Sequence, residues 1–155
     1  MTNQVIMKEL DVLISQLEER KNFINEYVLK QALKEIEALP EISITEFHVI
    51  AYIGNHQNVN GMRLSQEMGM TRGGISKVMS SLQKKNLIES YSEPDNKKKV
   101  YYRLTPLGMR INQFHNEKHQ QRDQTFAKFL DTFSDEEKAV VLKFIKELQL
   151  FAQSR

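Results

Sequence analysis

Apolar positions recur at helical spacing through most of the chain. Ile6, Leu10, Leu13/Ile14, Leu17, Ile24, Tyr27/Val28 and Ile36 follow the 3.6-residue period with charged residues between them, which predicts one long helix over the first forty residues, ended by Pro40. Ser43-Ile-Thr-Glu46 has the spacing of a capping box and opens a second helix that carries Phe47, Ile50 and Ile53 and stops around Gly54-Asn55. Two short helices come next. Met62–Met68 places Leu64 and Met68 on one face, with Gly69 suited to the turn after it. Thr71 caps the other, whose Ile75, Val78, Met79 and Leu82 keep the i, i+3, i+4, i+7 pattern.

The period then changes from helix to strand. Leu87-Ile-Glu-Ser-Tyr91 and Val100-Tyr-Tyr-Arg-Leu104 are β-branched and aromatic runs joined by a turn-rich basic link, which predicts a hairpin with Lys97, Lys98 and Lys99 at its turn. Thr105-Pro106 is an N-cap followed by proline at the first helical position, and opens a helix to about Leu130. Ser134-Asp-Glu-Glu137 is a second capping box, opening a last helix with Leu142, Ile145, Leu148 and Phe151/Ala152 turned inward. The fold class is therefore mainly α with one small β-hairpin. No internal repeat or low-complexity tract is present.

Composition narrows the function. With 155 residues, 40% hydrophobic and 27% charged, the chain is one globular domain's worth. It has no cysteine, which excludes a disulfide framework, a thiolate zinc site and a cysteine nucleophile and fits a reducing, cytoplasmic setting. The N-terminus has no basic-then-apolar leader, and no apolar run has the length of a membrane span. A phosphate-cradling glycine loop and a Gly-x-Ser-x-Gly elbow are both absent. His115-Asn-Glu-Lys-His119 sets its Glu two residues after the first His, whereas the metalloprotease helix needs it directly after. These absences speak against an enzyme.

Charge is uneven although the net value is only +2. Residues 61–103 hold nine basic and four acidic side chains, a net +5, and the rest of the chain is at −3. A basic middle between acidic flanks suits a polyanion-binding module on a non-binding scaffold. Two short helices joined through a glycine turn and followed by a basic hairpin form a winged helix-turn-helix. With its aliphatic residues turned to the core, the second of these helices sets Arg72, Gly73, Ser76, Lys77, Ser80 and Lys84 on the opposite side. Small residues there allow deep seating in a major groove, and basic ones reach phosphates or guanine edges. Thr71 and Gly73-Gly74 at its start leave backbone N–H groups suited to phosphate.

Leu64-Ser-Gln-Glu-Met-Gly-Met-Thr-Arg-Gly-Gly-Ile-Ser-Lys-Val, Leu-Ile-Glu-Ser-Tyr, Asp-Asn-Lys-Lys-Lys and Leu104-Thr-Pro-Leu-Gly108 together resemble the MarR family of bacterial transcriptional regulators. The resemblance implies an N-terminal dimerisation helix over 1–40 and a winged DNA-binding domain over 41–104. The recognition helix would be about 71–86, the wing about 87–104, and residues 105–155 would form C-terminal dimerisation helices. It implies a homodimeric repressor on palindromic double-stranded DNA. The expected DNA-contacting set is Ser65, Thr71, Arg72, Gly73, Gly74, Ser76, Lys77, Ser80 and Lys84, with Asn96, Lys97, Lys98 and Lys99 from the wing. Asn96 and Lys98 stand where wings of the family usually carry Asp and, two residues later, Arg. An Asp–Arg brace is thus unavailable, and Lys98 lacks the planar fork of arginine. An adaptor of the same fold that no longer binds DNA is the other reading, and the intact basic face speaks against it.

The resemblance also bears on what is sensed. In zinc-responsive members a histidine at the position of His48 and a His-x3-His pair at those of His115 and His119 bind metal, completed by a first-helix carboxylate for which Glu26 is the nearest candidate. The commoner family behaviour is a small aromatic molecule held between the arms and the winged domain, lined here by Phe47, Tyr27 and Phe114. No cofactor is required; the effector is zinc or such a ligand.

Overall fold

The computed structural model describes residues 2–154, in eight elements: α1 (Asn3–Glu35), α2 (Ile44–Asn55), α3 (Gly61–Met68), α4 (Arg72–Lys84), β1 (Ile88–Glu93), β2 (Asn96–Leu104), α5 (Pro106–Leu130) and α6 (Asp135–Gln153). Two compact units divide the chain, residues 1–116 and 117–155.

The first unit has one apolar core. Leu29, Ala32 and Ile36 reach it from the end of α1, Phe47, Val49, Ile50 and Ile53 from α2, and Leu64 from α3. Ile75, Met79 and Leu82 enter from α4, Ile88 and Leu104 from the hairpin, and Ile111 and Phe114 from α5. Local chemistry sets most boundaries. Ser43 Oγ accepts from the Glu46 N–H at 3.2 Å while Glu46 Oε2 accepts from the Ser43 N–H at 2.8 Å, so the capping box is formed as the spacing predicts. Asn60 Oδ1 caps α3 and Thr71 Oγ1 caps α4, accepting from the N–H groups of Arg63 and Gly74. Gly69 ends α3 at φ +60, the left-handed conformation for which glycine pays no Cβ penalty. Thr105 Oγ1 accepts from the Gly108 N–H and donates to the Asn86 carbonyl, tying the start of α5 to the segment that follows α4.

Three boundaries differ from the sequence expectation. The first helix stops at Glu35 instead of Pro40: a turn with Ala38 at φ +61 intervenes, and it turns Ile36 and Ile42 into the core. Proline disfavours helical geometry in the residue before it, so the stop signal acts upstream of Pro40 itself. The helix expected over 71–86 is Arg72–Lys84, with Thr71 outside it as cap and Asn86 at φ +56. The strands are longer than the apolar runs, so Lys97, Lys98 and Lys99 lie within β2 and only Pro94 and Asp95 separate the strands. Tyr91 pairs with Tyr101 and Glu93 with Asn96, so Ser92 alone faces the four residues Lys97–Val100, a wide bulge that bunches the lysines. Beyond the hairpin, Val59 bridges to Tyr102 and its carbonyl accepts from the Tyr102 N–H at 2.9 Å.

In the second unit, the capping box of Ser134 and Glu137 opens α6 as expected. None of the α6 side chains is buried within the single chain: Leu142, Phe144, Ile145, Leu148 and Phe151 are all more than a third exposed, so the inward face expected for this helix is not inward in one copy.

Gly108 sits hard against the hairpin. A Cβ there would lie 2.1 Å from the Leu87 carbonyl oxygen, a backbone atom that cannot turn aside. Gly108→Ala is therefore expected to destabilise the protein by about 1–3 kcal/mol. At roughly 2–4 °C per kcal/mol for a chain of this length, thermal unfolding followed by circular dichroism would show a fall of several degrees.

Candidate nucleic-acid interface

The aliphatic stripe of α4 is buried at Ile75, Met79 and Leu82, and Val78 is half-buried. That anchoring fixes what faces outward. Thr71, Arg72, Gly73, Ser76, Lys77, Ser80 and Lys84 are all exposed, and Gly74 is half-buried. A Cβ added at Gly73 would meet nothing within 4 Å, so packing does not require glycine there. Ser65 is different: half-buried, its hydroxyl donates to the Met70 carbonyl and so holds the turn between α3 and α4.

The nine basic residues of the middle segment divide in two. Three are held by oxygen partners within the chain. Arg63 donates from Nε to Tyr52 Oη at 2.9 Å and from Nη1 to the Gln57 carbonyl at 2.8 Å. Arg103 pairs with Glu89 across the hairpin at 2.7 Å and lies over the Tyr91 ring. Lys85 pairs with Glu46. The other six, Arg72, Lys77, Lys84, Lys97, Lys98 and Lys99, are exposed, and Asn96 beside the last three is half-buried. These six are the cations that the charge pattern and the helix face single out. Between α3, α4 and β2 lies a cleft of about 350 Å³, lined by Gly61, Met62, Arg72, Ile75, Ser76, Met79 and Tyr102.

The C-terminal end of α4 is held by Glu46. This carboxylate is buried and accepts from Ser81 Oγ at 2.7 Å and from Lys85 Nζ at 2.8 and 2.9 Å, in addition to its capping bond. Burial raises its pKa, but hydrogen bonds from Lys85, the Ser43 N–H and Ser81, with the Lys85 charge, outweigh it and hold the carboxyl below its ordinary value. Sequence reasoning finds Glu46 only as a cap, because Ser81 and Lys85 lie 35 and 39 residues further on.

The expected metal ligands are only partly brought together. His48 and His115 meet edge to face with ring centroids 6.4 Å apart, beside Phe47, whose ring is 5.0 Å from His115. His119 belongs to the second unit, where Nδ1 lies 2.6 Å from Arg122 Nη2. Burial first, and the Arg122 charge second, lower its pKa against the opposing pull of Asp123, which favours a neutral ring. Glu26 is exposed on α1. Among the described residues no group of three or more His, Asp or Glu side chains is arranged to hold a metal ion. Glu26, His48 and the His115/His119 pair sit on three helices, α1, α2 and α5, and spacing along one helix fixes only the i, i+4 pair. Of the aromatic lining expected for a small-molecule site, Phe47 and Phe114 are core residues, while Tyr27 is exposed and stacks on Phe23.

Residues 42–100 match the model of the MarR family. The chain is 34% identical to the HTH-type transcriptional regulator PchR of Bacillus subtilis (strain 168), over 96% of this chain and 88% of that protein. Among solved structures it resembles Streptococcus pneumoniae FabT in complex with DNA, with a TM-score of 0.61 and 27% identity over 91% of this chain and 98% of that one. It shares its fold with a zinc-responsive MarR family member, Lactococcus lactis ZitR, with a TM-score of 0.62 and 21% identity over 92% and 99% of the two chains.

The Glu46 carboxyl gives a pH prediction. Its folded pKa lies below the unfolded value, so its contribution to stability is present in full above the ordinary carboxylate range and is lost as pH falls through the folded value. Urea midpoints measured on acidification should fall. In Lys85→Gln, where the largest pKa-lowering partner is gone, the fall attributable to this group should be smaller.

Proposed function

The chain belongs to the MarR family of transcriptional regulators, and from that premise we propose that it is a homodimeric repressor that reads a palindromic operator. It is a regulator, not an enzyme. The observation that carries the reading is the partition of charge: six exposed cations without a carboxylate partner among the described residues lie on α4 and β2, while the remaining three in the same segment are held by oxygen partners, Arg63 and Lys85 half-buried and Arg103 at the surface. Thr71, Arg72, Gly73, Gly74, Ser76, Lys77, Ser80 and Lys84 present the reading face to a major groove, and Asn96, Lys97, Lys98 and Lys99 lie along the adjacent backbone or minor groove. Ser65 supports the turn that aims this face. The exposure of most of the set, with Gly74 and Asn96 half-buried, favours DNA over an adaptor that has lost it.

Two readers need a two-fold spacer, since half-sites recur about 34–36 Å apart along the duplex. Exposed apolar side chains on α1 (Val12, Leu13, Leu17) and on α6 (Leu142, Ile145, Leu148) supply surfaces that a second copy would cover. No helix among the described residues is long and apolar enough to cross a membrane. We assign the regulator to the cytoplasm, where its DNA is.

An effector acts by favouring one separation of the two readers over another. Zinc is the effector with support in this chain: His48 and His115 bring two imidazoles edge to face with centroids 6.4 Å apart, and imidazole is a common zinc ligand. A small aromatic ligand is the other chemistry.

Arg72→Ala and Lys77→Ala should each weaken binding to operator DNA with the circular dichroism spectrum unchanged, by about 1–3 kcal/mol where a base edge is contacted. Alanine at Lys97, Lys98 and Lys99 together should reduce the slope of log affinity against log salt by up to about three, near one per phosphate contact. Wild-type affinity in the α4 variants, or salt-insensitive binding, would refute the assignment. For zinc, calorimetric titration of metal-free protein should show uptake that is lost in the His115→Ala/His119→Ala double variant; equal uptake by both removes the histidine pair from the effector site.

A further inference from the structure

Glu46 is buried and far from the reading face in sequence, and beyond its capping bond it accepts from Ser81 of α4 and from Lys85, the residue that ends α4. We propose that Glu46 is a positioning residue for DNA recognition: by holding Ser81 and Lys85 together, its carboxylate fixes the rotation of α4 about its own axis. The proposal rests on the reading of α4 as the recognition helix.

Apolar burial is non-directional. The contacts of Ile75, Met79 and Leu82 keep α4 on the core and oppose large rotations. Polar groups add a directional restraint on small ones. At the N-terminal end it comes from the turn, through the Ser65 hydroxyl and the left-handed Gly69. At the C-terminal end, Ser81 and Lys85 are four residues apart and so share one face of the helix and its final turn. Both donate to the same carboxylate at 2.7–2.9 Å. That carboxylate cannot follow them freely, because its Oε2 also accepts from the Ser43 N–H at the start of α2. One rigid group thus joins the first turn of one helix to the last turn of another.

The tolerance of base readout makes the restraint matter. A rotation of about 15° swings a side-chain tip some 6 Å from the helix axis by roughly 1.5 Å, given the ~10–12 Å diameter of a helix with its side chains. A recognition constellation has to be held within about 0.5 Å and 10–20°. Phosphate contacts through long, flexible lysines tolerate such a swing. Ser76 and Ser80, short side chains close to the axis, gain or lose a base edge with it. Loss of the Glu46 hold should therefore remove discrimination among sequences before it removes attraction to the duplex.

The test uses two duplexes: one selected by the wild-type protein from a random 30-base-pair pool, and an unselected one. Binding of each is measured for wild type, Glu46→Gln, Ser81→Ala, Lys85→Met, Lys85→Arg and the control Val49→Ala, which opens the core on α2 without touching the carboxylate. Glu46→Gln and Lys85→Met are expected to raise the Kd for the selected duplex at least ten-fold while changing that for the unselected duplex less than three-fold. Ser81→Ala should do so in part, Lys85→Arg should restore most of the discrimination, and Val49→Ala should lose stability with its discrimination intact. If Glu46→Gln does not fold, Ser81→Ala and the two Lys85 variants decide. Unchanged discrimination, or equal losses on both duplexes, overturns the positioning role and leaves the regulator reading standing. A wild-type protein that selects no sequence overturns both.

Discussion

Burial of the Ile75–Met79–Leu82 stripe is the constraint on which the rest of the molecule depends. Once those three side chains enter the core, the opposite side of α4 must face solvent, and its small and basic residues become a surface. The hairpin is then placed by the same core, because Ile88 and Leu104 enter it from the two strands. A helix with a polar, basic outer face and a basic ribbon are thus consequences of one hydrophobic pattern. No charged residue has to direct it.

Polar groups refine what burial leaves loose. Thr105 ties α5 to the Asn86 carbonyl, Val59 bridges to β2, and Glu46 ties α2 to the end of α4. Each joins elements that the core only presses together. Leaving such a group buried and unpaired would cost about 1–3 kcal/mol, and more for a charge, so each contact also disfavours alternative packings. The part-buried Glu46–Lys85 pair is the strongest case. Replacing a buried ion pair with well-packed apolar groups is often neutral for stability, but it removes the directional contacts the pair makes.

Most of the architecture was legible in the sequence, because it is written in local signals. Ser43/Glu46, Thr71, Thr105-Pro106 and Ser134/Glu137 mark helix starts through contacts three residues apart. Where the outcome depends on distant partners, local reading failed. The helix periodicity continues through Ile36, but that residue enters the core from a turn. The lysines look like a loop because three adjacent charges resemble one, whereas strand pairing on either side carries them into a bulge. The exposed face of α4 was readable as a surface, since its period separates it from the stripe. The second role of Glu46 was not, nor was the arrangement of the four expected metal ligands, because both depend on how separate helices pack.

The bulge opposite Ser92 has one more consequence. A two-stranded ribbon has outer edges where unpaired N–H and C=O groups could recruit a strand from another molecule. Here Val59 closes one edge near the base at Tyr102, and the widened turn of chain carrying Lys97–Lys99 interrupts the ladder near the tip with clustered like charge. The same irregularity that gathers cations for a polyanion thereby guards the ribbon against amyloid-like stacking, so neighbouring copies can crowd together without zipping into one another.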